Sequence, residues 1–138
     1  FTTEWFERVK RERGNEAYVR FLDAPLSIDN VQGGVPASTG GSYVATLVQI
    51  PIPPGVTHDL IRDGFAAAEE TYRNVQGLLR KNFVIGDQGT FGGVYLWDSK
   101  VSAQAWLNDQ WRQRVNDTYG HPPTVEWFEV PIVLPSRK

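Results

Sequence analysis

The hydrophobic and polar positions of this chain follow two different periods. Residues 43–50 are mostly apolar and β-branched, and residues 78–85, 93–97 and 125–130 alternate between two faces, a pattern typical of strands. Two intervening segments place apolar residues three and four apart, which predicts amphipathic helices. The two helical stripes are Ile61, Phe65, Ala68, Tyr72 and Val75, and then Ala103, Trp106, Leu107, Trp111 and Val115. The predicted order is β-α-β-β-α-β, an α+β ferredoxin-like arrangement.

Signals at the segment ends support these boundaries. Thr57 is a suitable N-cap for the first helix, and Asp98 or Ser99 is suitable for the second. Residues 86–89, Gly-Asp-Gln-Gly, predict the turn between the two central strands. Gly120 is expected to end the second helix. Gly92 and Gly93 predict a bulge or the close approach of another group to the third strand.

The first 41 residues differ in character from the rest. Residues 4–22 predict a helix that Thr2 or Thr3 can cap, with a weak point at Gly14, and residues 25–41 are rich in Pro, Gly and Ser, as in a linker. We therefore expect a helical extension and linker over 1–41 and a ferredoxin-like domain over 42–138.

Composition excludes several classes of partner. The net charge of −2 does not favour binding to nucleic acid, and no apolar run approaches the roughly 20 residues that span a bilayer. There is no Cys, so disulfides and thiolate sites are excluded. There is no Met either and the chain begins at Phe1, which indicates a processed or incomplete N-terminus. We expect a cytoplasmic protein that binds neither nucleic acid nor membrane.

Few residues suit metal or acid–base chemistry. The only histidines are His58 and His121, and neither has a partner at ligand spacing, so no metal site is expected. His121 lies in a turn beside the last strand, where it can act as a general base or be a solvated turn residue. No phosphate-binding glycine motif and no nucleophile elbow occur.

A set of polar and aromatic residues remains as the candidate site. Arg80 and Asn82 share one face of the second strand, and Arg80 or Asn82 can stabilise an enolate or phenolate as a hydrogen-bond donor. If that face and the aromatic residues turn toward the helices, they line one cavity; if it turns toward a partner subunit, they form an interface. The aromatic members of the set are Phe65, Tyr95, Trp97, Trp106 and Trp127.

The segments GLLRKNFVIGDQGTFGGVYLWDSKVSAQAW, WRQRVNDTYG and TVEWFEVPIVL carry a family resemblance. They resemble the antibiotic biosynthesis monooxygenase-like proteins of the dimeric α/β-barrel superfamily, and within it the small YdhR-like proteins. The resemblance covers about residues 43–134. It implies a homodimer whose two sheets close into a barrel, with a ligand pocket between sheet and helices in each subunit.

The resemblance also implies an activity, cofactor-independent oxygenation of a small phenolic or polyketide-like aromatic substrate. In that reading Arg80 or Asn82 holds the ionised oxygen, His121 is a base, and Phe65, Tyr95, Trp97, Trp106 and Trp127 contact the ring. No metal, flavin or haem is expected. The haem-degrading relatives depend on an axial histidine on a helix, and no histidine here fits that place, so that branch is disfavoured. The alternatives are a cyclase or isomerase that acts through an enolate without O2, and a non-catalytic binding protein.

Overall fold

The computed structural model describes residues 1–14, 19–31 and 42–133. The elements in chain order are α1 (Thr3–Arg13), β1 (Leu22–Asp29), β2 (Tyr43–Pro51), α2 (His58–Arg73), β3 (Leu78–Gly86), β4 (Thr90–Trp97), α3 (Lys100–Trp106), α4 (Asp109–Tyr119) and β5 (Thr124–Val130). The strands form one antiparallel sheet in the order β1-β3-β4-β2-β5. From β2 onward the order is β-α-β-β-α-α-β, in which α3 and α4 together take the place of the second predicted helix, and this confirms the predicted α+β ferredoxin-like fold.

The helices begin and end where side chains satisfy their free backbone groups. Thr57 accepts a hydrogen bond from the backbone N–H of Leu60 and so caps α2, and Ser99 rather than Asp98 caps α3. The second predicted helix is divided in two, because Leu107 leaves the helical conformation and Asn108 caps α4 as a new N-terminus. In the described part of the chain, no helix has the length and apolar character that crossing a bilayer requires.

The N-terminal region departs from its prediction. Helix α1 is capped by Thr2 and ends at Gly14, which adopts a left-handed conformation with φ 76°. The predicted linker is wrong over residues 25–29, because this stretch belongs to β1, which pairs with β3 at the edge of the sheet. Residues 32–41 of the predicted linker lie outside the described residues. The pairing is irregular between Asp23 and Leu26, where Pro25 removes a backbone donor.

The two faces of the sheet are unequally covered. Helices α2, α3 and α4 pack on one face, which carries the buried core; its side chains include Ile28, Val44, Val48, Ile50, Phe83, Phe91, Tyr95 and Trp97. The other face, here called the open face, carries the apolar residues Ala45, Leu47, Val94 and Leu96, which are partly exposed, and Phe128, which is exposed. A protein rarely leaves an apolar sheet face of this kind uncovered.

Candidate functional site

A cavity of about 230 Å³ lies between the covered face of the sheet and helices α2 and α4. Most of its wall is apolar; the lining includes Val48, Ile50, Val56, Ile61, Phe65, Phe83, Phe91, Trp111 and Val115. The polar side chains in the wall are Tyr72, Lys81, Tyr95 and Tyr119. An apolar cavity with a few polar groups is the usual form of a small-molecule site.

Lys81 is the most unusual of these groups. It projects from β3 to the covered face and is 3 % exposed. Its Nζ lies 3.1 Å from the ring centroid of Tyr72, 4.0 Å from that of Phe83 and 4.4 Å from that of Tyr95. Among the described residues Lys81 has no hydrogen-bond or ion-pair partner. A lysine that is this deeply buried is normally paired with an acid, and this one is surrounded by rings instead.

Burial holds the pKa of the Lys81 amine well below its ordinary value of 10.5. A cation–π contact favours the ammonium form by roughly 0.5–2 kcal/mol. Removing an ammonium ion from water costs several kcal/mol, so burial outweighs the attraction of the rings. A neutral amine keeps part of that attraction, because its N–H groups can still point at the ring faces.

The lysine side chain has room because the neighbouring strand has a glycine beside it. A Cβ on Gly93 would lie 2.8 Å from Lys81 Cε and 2.9 Å from the Tyr95 ring. Tyr95 in turn stacks on Trp97 with ring centroids 5.6 Å apart, and Trp97 donates from Nε1 to the buried Thr46 hydroxyl at 3.0 Å. This side of the cavity is therefore rigid and closely packed.

The two inner tyrosines are held in their protonated form. Burial raises the pKa of Tyr72, and it raises the pKa of Tyr95 well above 10.0, with the nearby Tyr72 hydroxyl adding to the effect. The Trp106 indole N–H opposes the rise at Tyr72 without cancelling it. Trp106 Nε1 is itself buried and has no hydrogen-bond partner among the described residues. The two hydroxyls also interact with each other, and both stay in the neutral, protonated form.

Asn30, the residue after β1, positions the helix that carries Tyr72. Its side-chain amide donates to the backbone carbonyl of Tyr72 at 3.3 Å and to that of Leu78 at 3.0 Å. Its own backbone N–H donates to the Leu79 carbonyl at 2.9 Å. The end of β1 is thus joined both to the last turn of α2 and to the start of β3, two residues before Lys81.

Arg80 and Asn82 do not line this cavity, and the prediction that they share it with Tyr95 and Trp97 is wrong. In the register of β3 with β4, Lys81 lies opposite Tyr95, so Arg80 and Asn82 turn to the open face. Both contact the added strand β1 there. Asn82 accepts a hydrogen bond from Ser27 at 2.5 Å, and Arg80 lies 3.8 Å from the Asp29 carboxylate.

The other predicted residues divide into three groups. Phe65 and Tyr95 line the cavity, as predicted. Trp97 and Trp106 do not line it but contact its tyrosines, Trp97 by stacking on Tyr95 and Trp106 edge-on to Tyr72 with centroids 5.6 Å apart.

His121 and Trp127 lie outside the cavity wall. His121 is exposed, and its Nδ1 is 2.6 Å from the Pro122 carbonyl oxygen, so its position is that of a turn residue. Trp127 is 38 % exposed on the edge strand β5, beside a shallow hollow that Val44 and Val101 also line. His121 is therefore not placed to act as a base in this cavity, and Trp127 is not placed to contact a ring bound there.

Lys81 is the site residue that the sequence analysis missed, and Tyr72 was assigned only to a core stripe. A signal was present, because Lys81 is the one charged residue on a face that otherwise carries Leu79, Phe83 and Ile85. A charge within an apolar strand face indicates either an exposed edge or a functional site.

Metal binding finds no support in the described ranges. Across residues 1–14, 19–31 and 42–133, no three His, Asp or Glu side chains come together as a metal site would require.

The chain matches no protein-family model and no curated protein. Solved structures with the same fold include a protein of unknown function from Nitrosomonas europaea, which is 22 % identical with a TM-score of 0.56 over 70 % of this chain and 98 % of that one. A ferredoxin-fold protein related to antibiotic biosynthesis monooxygenases, from Listeria monocytogenes, is 13 % identical with a TM-score of 0.54 over 86 % and 72 %. An anthrone oxidase-like protein is 15 % identical with a TM-score of 0.58 over 94 % of this chain and 63 % of that one.

Identities this low establish a shared fold and leave function to the site itself. The chain has the α+β ferredoxin-like fold found in proteins related to antibiotic biosynthesis monooxygenases.

Proposed function

We propose that this protein is a monooxygenase-like enzyme that oxidises a small phenolic or polyketide-like aromatic in the cavity, without a bound cofactor. The observation that carries the proposal is the composition of the cavity wall, in which aromatic and aliphatic side chains surround the polar group of Tyr72, Lys81 and Tyr95. The fold shared with monooxygenase-related proteins and with an anthrone oxidase-like protein supports it, as does the resemblance to YdhR-like proteins.

The proposed reaction requires few groups from the protein: a proton acceptor, hydrogen-bond donors and an apolar wall. An ionised phenol can give electrons to O2, a carbon–oxygen bond forms at a ring carbon, and loss of water leaves a quinone; phenol and O2 thus become quinone and water. Because burial lowers the pKa of Lys81, its unprotonated amine can accept the phenol proton, and the protonated Tyr72 and Tyr95 hydroxyls can donate to the ionised oxygen. The apolar wall excludes the water that would quench a reactive intermediate.

Cavity size limits the substrate. A cavity of roughly 150 Å³ is enough to hold benzene, and sites for drug-sized ligands begin at about 300 Å³. The volume of about 230 Å³ therefore fits one or two fused rings, such as a naphthol or a quinol.

We also propose that the open face is the homodimer interface. Its partly exposed Leu47, Val94 and Leu96 form a continuous apolar surface across β2 and β4, because Leu47 lies opposite Val94 in the register. At one end of this face Arg20 donates to Gln49 and to Glu126, both at 3.1 Å. Pairing two such faces would bury the apolar strip that each chain exposes alone.

The direct test is oxygen uptake by purified protein with a panel of naphthols, quinols and anthrones, with thermal stabilisation by each compound measured in parallel. We expect uptake above the protein-free rate with one- or two-ring compounds. Tyr72→Phe should reduce uptake about tenfold or more, since it removes a donor to the oxyanion. Tyr43→Phe, outside the cavity wall, is the matched control and should be unchanged.

Thermal stabilisation without oxygen uptake would overturn the oxygenase proposal for the compounds that bind. It would transfer support to a cyclase or isomerase that works through an enolate, or to a binding protein. Conversion of the bound compound in the absence of O2 distinguishes the first of these from the second.

A further inference from the structure

Lys81 combines three properties that are unusual for a lysine. Its amine is deeply buried, it has no acidic partner among the described residues, and it forms part of the wall of a cavity large enough for a ligand. A merely structural lysine would extend its ammonium group to water, since its flexible stem makes that inexpensive.

Nucleophilic lysines in proteins are made by this kind of environment. An amine is a nucleophile only when it is unprotonated, and desolvation in an apolar pocket lowers the pKa of a lysine enough to keep it neutral near pH 7. Burial is the cause of the lowered pKa at Lys81. The rings of Tyr72, Phe83 and Tyr95 fix the amine on three sides and leave the cavity as its approach.

We propose that the Lys81 amine is a reactive nucleophile that condenses with small apolar aldehydes or ketones to form an imine within the cavity. This activity is separate from the oxygenase activity proposed above and needs neither O2 nor a phenol. The aromatic and aliphatic wall favours carbonyl compounds with an aryl or short alkyl group, such as a substituted benzaldehyde.

The reaction balances without any further reagent. Lys81 Nζ adds to the carbonyl carbon, a C–N bond forms, and the oxygen becomes the hydroxyl of a carbinolamine. The nitrogen then loses its second hydrogen and the hydroxyl leaves as water, so that one amine and one carbonyl give one imine and one water. The Tyr72 and Tyr95 hydroxyls, which stay protonated because burial raises the pKa of each, can donate to the departing oxygen.

The imine is also suited to its surroundings. A neutral imine carries no charge into a site that penalises charge, whereas the ammonium form of Lys81 does. The imine therefore does not meet the desolvation penalty that an ammonium ion would meet in the same place. Expulsion of water from the apolar cavity further favours condensation over hydrolysis.

The test is reductive trapping in oxygen-free buffer: the protein equilibrates with benzaldehyde at pH 6.5, and sodium borohydride, which reduces neutral as well as protonated imines, is then added. Intact mass and peptide mapping follow. Exposed lysine amines are almost entirely protonated at this pH. We expect a reduced benzyl adduct at Lys81, forming roughly tenfold or more faster than at the exposed Lys10 or Lys100. The ratio of labelling at Lys81 to that at Lys100 should fall as the pH is raised to 9, as ordinary amines lose their protons.

Two variants test whether the adduct forms at Lys81. Lys81→Met should abolish the adduct, and Lys100→Met should leave labelling at Lys81 unchanged. Adducts at Lys10, Lys100 and the amino terminus with none at Lys81 would overturn the proposal, as would a labelling ratio that does not change with pH. The map and the ratio come from the unaltered protein, so they decide the question even if Lys81→Met does not fold. Because O2 is absent, failure here and failure of oxygen uptake are separate outcomes.

Discussion

Gly93 leaves the space that the Lys81 side chain occupies, since a Cβ at that position would lie 2.8 Å from Lys81 Cε. The two residues lie on adjacent strands and on the same, covered face of the sheet. A glycine in a strand interior is unfavourable by itself, because it lowers β-propensity and packs nothing. Here it is explained by the buried amine beside it.

Gly93→Ala is therefore expected to destabilise the fold by about 1–3 kcal/mol, because the new methyl group must displace Lys81 or Tyr95. Urea unfolding measures the change. The matched control is Gly64→Ala in the interior of α2, where a Cβ would meet nothing within 4 Å. That substitution should stabilise the protein by about 0.5–1 kcal/mol. Equal effects of the two substitutions would show that Lys81 does not occupy the place described.

Gly92→Ala should cost more than Gly93→Ala. A Cβ on Gly92 would overlap the backbone carbonyl of Val48 on the neighbouring strand. A backbone group in a paired strand cannot move aside as a lysine side chain can, so we expect a loss of about 3 kcal/mol or more. The measurement is again urea unfolding, and a loss smaller than that of Gly93→Ala would contradict the close approach of β2 to β4.

Lys81→Met should stabilise the protein near pH 6.5, and this advantage should shrink as the pH rises. The unfolded chain keeps the lysine proton up to about pH 10.5, whereas the folded chain releases it at a lower pH because burial lowers the pKa of Lys81. Between those two values the unfolded state binds one more proton, so the stability of the unaltered protein rises with pH by up to about 1.4 kcal/mol per unit. The Met variant lacks this dependence.

The comparison is best made by denaturant unfolding between pH 6 and 9. The raised pKa values of Tyr72 and Tyr95 reduce stability only above about pH 10, where unfolded tyrosines ionise, so they do not interfere in this range. Lys100→Met, at an exposed helix position, is the control and should follow the unaltered protein. Parallel pH curves for Lys81→Met and the unaltered protein would show that Lys81 is not desolvated.

Thr46→Val should destabilise the protein by about 1–3 kcal/mol although it preserves shape. It removes the acceptor for Trp97 Nε1, and both residues are fully buried, so the indole N–H is left without a partner. Thr124→Val, at an exposed position on β5, should change stability by no more than about 0.5 kcal/mol. The measurement is thermal unfolding of the two variants side by side. No loss of stability in Thr46→Val would contradict the proposal that Thr46 fixes Trp97, and through it Tyr95, by a hydrogen bond.

The homodimer proposal predicts a change of mass in solution. Sedimentation equilibrium of the unaltered protein should give twice the chain mass of 15.6 kDa. Leu96→Glu on the open face should shift the equilibrium to monomer, because burying an unpaired carboxylate costs several kcal/mol. Val101 is an exposed residue of α3, on the other side of the sheet, so the Val101→Glu variant should remain dimeric. A monomer at all concentrations for the unaltered protein would rule out this interface.

The regular spacing of hydrophobic residues made most of the fold predictable, and the elements that were missed lack such a spacing. Strand β2 and helix α2 show clear periods, and Thr57 and Gly120 act as the sequence predicts. Strand β1 was missed because LDAPLSID contains a proline and two aspartates, which are tolerated only because this is an edge strand with a free side.

The site was less predictable than the fold for a geometric reason. Adjacent strand residues face opposite sides, so assigning β3 to the wrong side exchanges Arg80 and Asn82 for Lys81. The alternation was correctly read, but the choice of which set faces the helices depends on pairing with β4. A charged residue looks suited to solvent, and only the aromatic contacts of Lys81 show why it lies inside.

The hydrogen bonds of Asn30 give the first thirty residues an importance that their place outside the β-α-β-β-α-β unit conceals. A shortened chain that begins at β2 would still contain every residue of the cavity wall. It would lack the amide that holds the carbonyls of Tyr72 and Leu78, and so the end of α2 could move relative to β3. Such a truncation is therefore expected to keep the cavity wall but lose this restraint on α2, so a shortened chain should include β1 and Asn30.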